Sequence, residues 1–259
     1  MYCSICQTSI ADNTKNKCPN CGSVISSHAA KNATIVRPAR KPKSPVEINL
    51  QVSIDRSGSS SAFAKGIPEI CSHTFTALKN AVAKVCLGLW THSDTDYGED
   101  PVQLLEDGDP DSAMNEIRKI TYQGGGDEEE THADQLENLL HVTPWSCSQM
   151  RCRNVLLMLA NADTKPLKSR MSMEELGKEF KQKGVMLFLV CQETPNLRKI
   201  VDNAGGFLVE ISNDPNADEI KRVVSTLTAT MTATITSGKT VPLSSANNKK
   251  AKYQKGDAA

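Results

Sequence analysis

Ile48-Asn49-Leu50-Gln51-Val52-Ser53-Ile54 alternates apolar and polar residues and runs directly into Asp55-Arg56-Ser57-Gly58-Ser59. Apolar side chains at 48, 50, 52 and 54 have the two-residue period of a strand, and the Gly/Ser-rich stretch after Asp55 ends it in a turn. That turn carries one carboxylate and two hydroxyls at alternate positions. Asp55, Ser57 and Ser59 can therefore converge on one hard cation, because carboxylate, hydroxyl and water oxygens suit Mg²⁺ or Mn²⁺. A chain that places such a loop at the end of an apolar strand needs a sheet behind it to hold the loop still.

The remainder of the sequence supplies that sheet. Helix periodicity is predicted over 68–82, 110–119, 128–141, 172–183, 195–204 and from about 215. Strands are predicted at 82–90, 102–105, 155–160, 185–190 and 207–211, with a hairpin joining the second and third. Alternating strands and helices predict an α/β fold: a doubly wound, mostly parallel sheet covered on both faces. Ligands of such sheets sit at the carboxyl ends of strands near a switch in strand order. Asp55 and the loop after Ala160 both stand at such ends.

Ahead of this body, Cys3-x-x-Cys6 and Cys18-x-x-Cys21 are eleven residues apart. Two short Cys-x-x-Cys turns can wrap four thiolates around one Zn²⁺, and Cys18-Pro19-Asn20-Cys21-Gly22 has the Pro and Gly of a tight turn. Residues 1–24 are read as a zinc ribbon with a closed, structural site, since four Cys leave no open position. Residues 25–46, with Arg37-Pro38-Ala39-Arg40-Lys41-Pro42-Lys43-Ser44-Pro45, read as a basic, Pro-rich linker. The main domain is expected over 47–238 and a basic, flexible tail over 239–259. Formal charge is +5 over 1–47, −9 over 48–238 and +4 over 239–259. Basic flanks on an acidic body suggest intramolecular screening or a charged partner.

The nine cysteines have no even spacing of the kind a disulfide framework needs. Cys147 and Cys152 are read as lone loop thiols. No apolar run approaches the roughly 20 residues of a membrane span, and the start has no signal-peptide pattern. A cytoplasmic protein is expected, with no membrane partner. There is no P-loop, no His-x-x-x-His and no evident Ser/His/Asp order, so His73, His92, His132 and His141 are not read as catalytic; His132, the nearest to the 124–131 loop, is read as a surface or capping residue, and the protein as not an enzyme.

The strand–Asp-x-Ser-x-Ser junction and the element order resemble the von Willebrand factor A (vWA) domain over about 190 residues. The resemblance implies a metal-ion-dependent adhesion site built from three loops. Asp55, Ser57 and Ser59 match the first. Gly124-Gly125-Gly126-Asp127-Glu128-Glu129-Glu130-Thr131 stands for the second, where a Thr is usual; Asp127 is the expected substitute ligand, Thr131 a weaker one, and Glu128–Glu130 are read as acids favoured by a helix N-terminus. In the third loop Asn161 occupies the usual Asp position and Asp163 follows two residues later. The combination with a Cys₄ ribbon is similar to bacterial cytoplasmic vWA proteins of tellurite and stress resistance and of phage defence. Such proteins are taken to act as adaptors beside kinases, phosphatases, proteases or AAA+ ATPases. The expected function is thus a non-enzymatic protein–protein adaptor whose Mg²⁺ or Mn²⁺ engages an acidic residue of a partner. The alternative is a nucleic-acid-binding regulator using the ribbon and the basic linker, disfavoured because Tyr2 is the one aromatic available for stacking.

Overall fold

A computed structural model describes residues 43–126, 129–145 and 152–238. The ribbon cysteines Cys3, Cys6, Cys18 and Cys21, most of the linker, Asp127, Cys147 and the tail lie outside the described residues.

Six strands form one sheet in the order β3-β2-β1-β4-β5-β6. They are β1 (Ser44–Asp55), β2 (Val82–His92), β3 (Val102–Gly108), β4 (Cys152–Leu159), β5 (Val185–Cys191) and β6 (Phe207–Glu210). Every pairing is parallel except that of β2 with the edge strand β3, so the expected hairpin and mostly parallel sheet are present. β1 begins three residues earlier than the expected domain start. Strand order reverses between β1 and its neighbour β4, which opens a crevice at their carboxyl ends.

The helices are α1 (Ile67–Ala81), α2 (Pro110–Ile117), α3 (His132–Val142), α4 (Met173–Gln182), α5 (Pro195–Ala204) and α6 (Ala217–Ser237). Ile48, Leu50, Val52 and Ile54 share one buried cluster with α1, α2 and α6. The opposite face of β4 and β5, with Leu156, Met158, Leu187 and Leu189, packs on α3, α4 and α5. Fully burying a side chain of this kind stabilises the fold by about 1.5–3 kcal/mol, so the central strands anchor the loops at their ends. Capping sets the helix starts. Ser172 and Glu175 form a reciprocal capping box on α4, and Asn216 accepts from Asp218 and Glu219 N–H at α6.

The expected cover on both faces extends to the polar side of β1, where Gln51, Ser53 and Asp55 are buried. A central strand is covered on both faces, so its polar side must find hydrogen bonds inside. One boundary changes: α3 starts at His132 instead of 128, because its buried residues Ala133, Leu136, Leu139 and Leu140 begin the helical period only there. Glu130 consequently belongs to the loop. Cys71, Cys86 and Cys191 are free thiols, whereas Cys152, expected to be a lone loop thiol, begins β4 and is disulfide-bonded. Among the described residues no helix is long and apolar enough to cross a membrane.

Candidate functional site

The three loops meet at the reversal between β1 and β4. β1 ends at Asp55, and the next residues form short 3-10 turns, Gly58–Ser61 and Phe63–Lys65, that bend the chain toward α1. The turn is pinned by its own carboxylate. Asp55 Oδ1 accepts from Ser57 N at 2.9 Å, and Asp55 Oδ2 accepts from the Ser60 hydroxyl at 2.6 Å. Ser57 Oγ and Ser59 Oγ are 3.0 Å apart, and Asn161 Nδ2 donates to Ser59 Oγ at 3.2 Å. Asp55, Ser57, Ser59 and Asn161 are therefore brought into one cluster.

Backbone bonds fix the second loop against the first. Gly58 N donates to Gly124 O at 2.9 Å and Gln123 N to Arg56 O at 2.9 Å. A Cβ on Gly58 would lie 3.0 Å from that same Gly124 oxygen, so the approach needs glycine. Gly125 has φ +77° and donates its N–H to Glu99 Oε2 at 3.0 Å. The second and third loops are stitched by a parallel bridge between Glu130 and Thr164: Glu130 N donates to Asp163 O at 3.1 Å and Lys165 N to Glu130 O at 2.9 Å.

That bridge delivers Glu130 to the site. Its side chain is 1% exposed, and its Oε1 would lie 3.0 Å from a Cβ at Gly125, which faces Ser57 on the same side. Sequence reading placed Glu130 in a helical first turn and missed it. The usable signal was the late start of the Ala133-Leu136-Leu139 period, which leaves Glu130 ahead of the helix. Thr131 turns away: its hydroxyl donates to Ser93 O at 3.0 Å and accepts from Thr95 N at 3.1 Å, tying the second loop to the end of β2. Asp163 Oδ1 accepts from Thr164 N at 2.8 Å, which closes its own turn, and no hydrogen bond joins its side chain to the cluster.

Glu130 Oε2 and Asn161 Oδ1 are buried and have no hydrogen-bond partner. Unpartnered buried acceptors are costly, of order 1–3 kcal/mol each and more for a charged group. Burial, and then the Asp55 and Asp94 carboxylates, push the Glu130 carboxyl up to about 7. Burial alone would raise Asp55 as well. There His132, His92, the Ser60 hydroxyl and the Ser57 N–H outweigh it and hold the carboxyl below its ordinary value. Two carboxylates, two hydroxyls and an amide oxygen form an all-oxygen donor set of the type a hard divalent cation takes. The residues present fit such an ion.

Beneath the cluster lie His92 and His132, both fully buried, so His132 is not a surface residue. Burial lowers His92 to about 3, with His132 adding to the effect, and burial likewise lowers His132 against the pull of Asp55. At the rim, Tyr97 is 57% exposed, and Lys165 Nζ stands 5.6 Å from its ring centre while bonding Asp94 Oδ2 at 2.5 Å. A separate cleft of about 550 Å³ over β1–β3 involves Asn49, Gln51, Trp90 and Asp107, none of them in these loops. At its floor Gln51 Nε2 donates to Asn49 Oδ1 at 3.0 Å, and Trp90 Nε1 to Gln51 Oε1 at 3.1 Å.

The sheet order and the position of the Asp-x-Ser-x-Ser loop are consistent with a vWA domain. Among solved structures, the crystal structure of the SpRpn10 VWA domain is similar to this chain, with a TM-score of 0.49 and 15% identity, covering 69% of this chain and 94% of that one. No protein-family model and no curated protein matches the sequence.

Proposed function

We propose that this chain is a non-enzymatic interaction module that binds a partner's acidic side chain through a hard divalent cation, Mg²⁺ or Mn²⁺. The observation that carries this reading is the pair of buried, unpartnered oxygens, Glu130 Oε2 and Asn161 Oδ1, beside the Asp55–Ser57–Ser59 turn. When bound, the cation supplies positive charge between the loops and open positions that a carboxylate from outside can fill. Asp55 and Glu130 carry the negative charge of the site, Ser57 and Ser59 add hydroxyl oxygens, and Asn161 adds a neutral one. Relative to the arrangement expected by resemblance, the charge has moved from the third loop to the second. Asp127 remains a candidate ligand outside the described residues.

Ser60 and the Ser57 amide orient Asp55 so that its oxygens stay ionised and in place. Gly124 and Gly126 let the Glu99 and Tyr97 side chains lie directly against the second loop, and the exposed Tyr97 and the nearby Lys165 border the approach. A structural Zn²⁺ on Cys3, Cys6, Cys18 and Cys21 belongs to the same proposal, as do an adaptor role in a bacterial stress or phage-defence complex, a cytoplasmic setting, and a kinase, phosphatase, protease or AAA+ ATPase as partner. The nucleic-acid reading gains no support among the described residues.

The test is a calorimetric titration of Mg²⁺ and Mn²⁺ into the full chain and its Asp55→Ala form, followed by partner capture with and without chelator. Binding by the wild type, with most of it lost in Asp55→Ala, is the expected result. An equal response in both proteins, or capture indifferent to chelator and to Asp55→Ala, would leave the domain a metal-free scaffold.

A further inference from the structure

A line of buried hydrogen bonds runs along the polar side of β1 and ends behind Asp55. Gln135 Nε2 donates to Ser53 Oγ at 3.2 Å, while Gln135 Oε1 accepts from Asn138 Nδ2 at 3.3 Å. Ser53 Oγ lies 2.9 Å from His92 Nδ1, and His92 Nε2 lies 2.9 Å from His132 Nδ1. His132 Nε2 then faces Asp55 Oδ2 at 3.9 Å and has no hydrogen-bond partner. Ser53, His92, His132 and Asp55 are all 0% exposed.

Counting protons sets the direction of the line. A hydroxyl has one proton, and a neutral imidazole has one N–H and one lone pair. Ser53 already accepts from Gln135, and the single neighbour left for its own proton is His92 Nδ1. His92 Nδ1 is therefore the acceptor, and the His92 proton sits on Nε2, where it is donated to His132 Nδ1. His132 in turn carries its proton on Nε2, pointing at Asp55. Reversing the chain would orphan the Ser53 proton and turn a lone pair toward a carboxylate, both unfavourable in a dry interior.

We infer that Gln135, Ser53, His92 and His132 form a one-way hydrogen-bond relay that aims the His132 Nε2–H at Asp55, which makes His132 and His92 positioning residues for the carboxylate of the cation site. The positive end of the N–H dipole stabilises the ionised, fully buried Asp55 at Oδ2, while the Ser57 amide holds Oδ1. The same proton occupies the imidazole nitrogen that faces Asp55, so the donor set stays all-oxygen and favours Mg²⁺ or Mn²⁺ over nitrogen-seeking ions such as Zn²⁺. The role toward the ion rests on the function proposed above; the proton positions do not.

Imidazole ¹⁵N NMR of the metal-free full chain reads those positions directly. The expected result is the Nε2–H tautomer for both His92 and His132. An Nδ1–H tautomer at His132 overturns the relay. For the positioning role, Mn²⁺ affinity measured by EPR should fall about 10- to 100-fold in His92→Leu. It should largely recover in His92→Gln, whose amide can accept from Ser53 and donate to His132. Wild-type affinity in both variants overturns the role, because the His92 side chain hydrogen-bonds Ser53 and His132 and none of the proposed ligands. Absence of Mn²⁺ uptake by the wild type overturns the cation site and the positioning role together, whereas a wrong tautomer with intact uptake overturns the relay alone.

Discussion

Replacing Glu130 with Gln removes a negative charge that the fold buries beside Asp55 and leaves with an unpartnered oxygen. The carboxyl is raised from its ordinary 4.5 to about 7. A raised acid binds its proton more tightly in the folded state. Its stabilising contribution is therefore complete below about pH 4.5 and is lost as pH climbs through 7. The interval between the two values, at about 1.4 kcal/mol per pH unit, makes the ionised carboxylate cost the metal-free protein about 3 kcal/mol at pH 8. Glu130→Gln should then melt higher than wild type in chelator at pH 8. For a domain of this size the gain is about 6–12 °C at about 2–4 °C per kcal/mol. The advantage should shrink toward zero at pH 5. With saturating Mg²⁺ the order should invert, because the wild type gains linkage stabilisation that the neutral variant loses. Differential scanning calorimetry at the two pH values, with chelator and with Mg²⁺, measures all four terms. A variant melting at or below wild type in chelator at pH 8 would refute the reasoning, since Glu130 would then not be a buried charge awaiting a counter-ion.

Asn161→Asp should strengthen Mg²⁺ binding in calorimetry and lower the melting temperature of the metal-free protein, because a third carboxylate joins Asp55 and Glu130; unchanged Mg²⁺ affinity would remove Asn161 from the donor set. Ser60→Ala deletes the 2.6 Å bond to Asp55 Oδ2 and should cost about 1.5–3 kcal/mol in urea unfolding at pH 7. Asp55 is held below its ordinary value, so that cost should fade as pH drops through its folded pKa, and a cost constant into acid would point to packing instead. Cys18→Ser should abolish zinc uptake measured by elemental analysis while the main domain keeps its melting transition, whereas freshly purified wild type without zinc would end the ribbon reading.

The sheet was legible in the chain because strand and helix periods are local. Ile48 to Ile54, Val155 to Ala160 and Val185 to Val190 announce themselves as strands, and Asp55-x-Ser-x-Ser announces a polar turn at the end of the first. What sequence reading lost lies in loops whose geometry is set by distant partners. On paper Asp127 is the preferred ligand and Glu130 an acid at a helix N-terminus. The bridge from Glu130 to Thr164, 34 residues away, and the late start of α3 turn Glu130 inward. Thr131, the residue type expected there, is instead captured by Ser93 and Thr95.

His92 and His132 make the same point for the interior. They are 40 residues apart, and nothing in their neighbours marks them as a pair until β2 and α3 are packed against β1. By itself, the chain determined which segments become strands and helices, that the sheet is covered on both faces, and that Asp55, Ser57 and Ser59 share a turn at a strand's carboxyl end. Local steric and hydrophobic patterning suffices for those. Only the tertiary structure decided which partners the buried polar side of β1 finds, that Glu130 turns in beside Gly125 and Ser57, and that two histidines stand behind Asp55. Those outcomes depend on satisfying buried polar groups across long separations, and desolvation makes that demand only once the layers have closed.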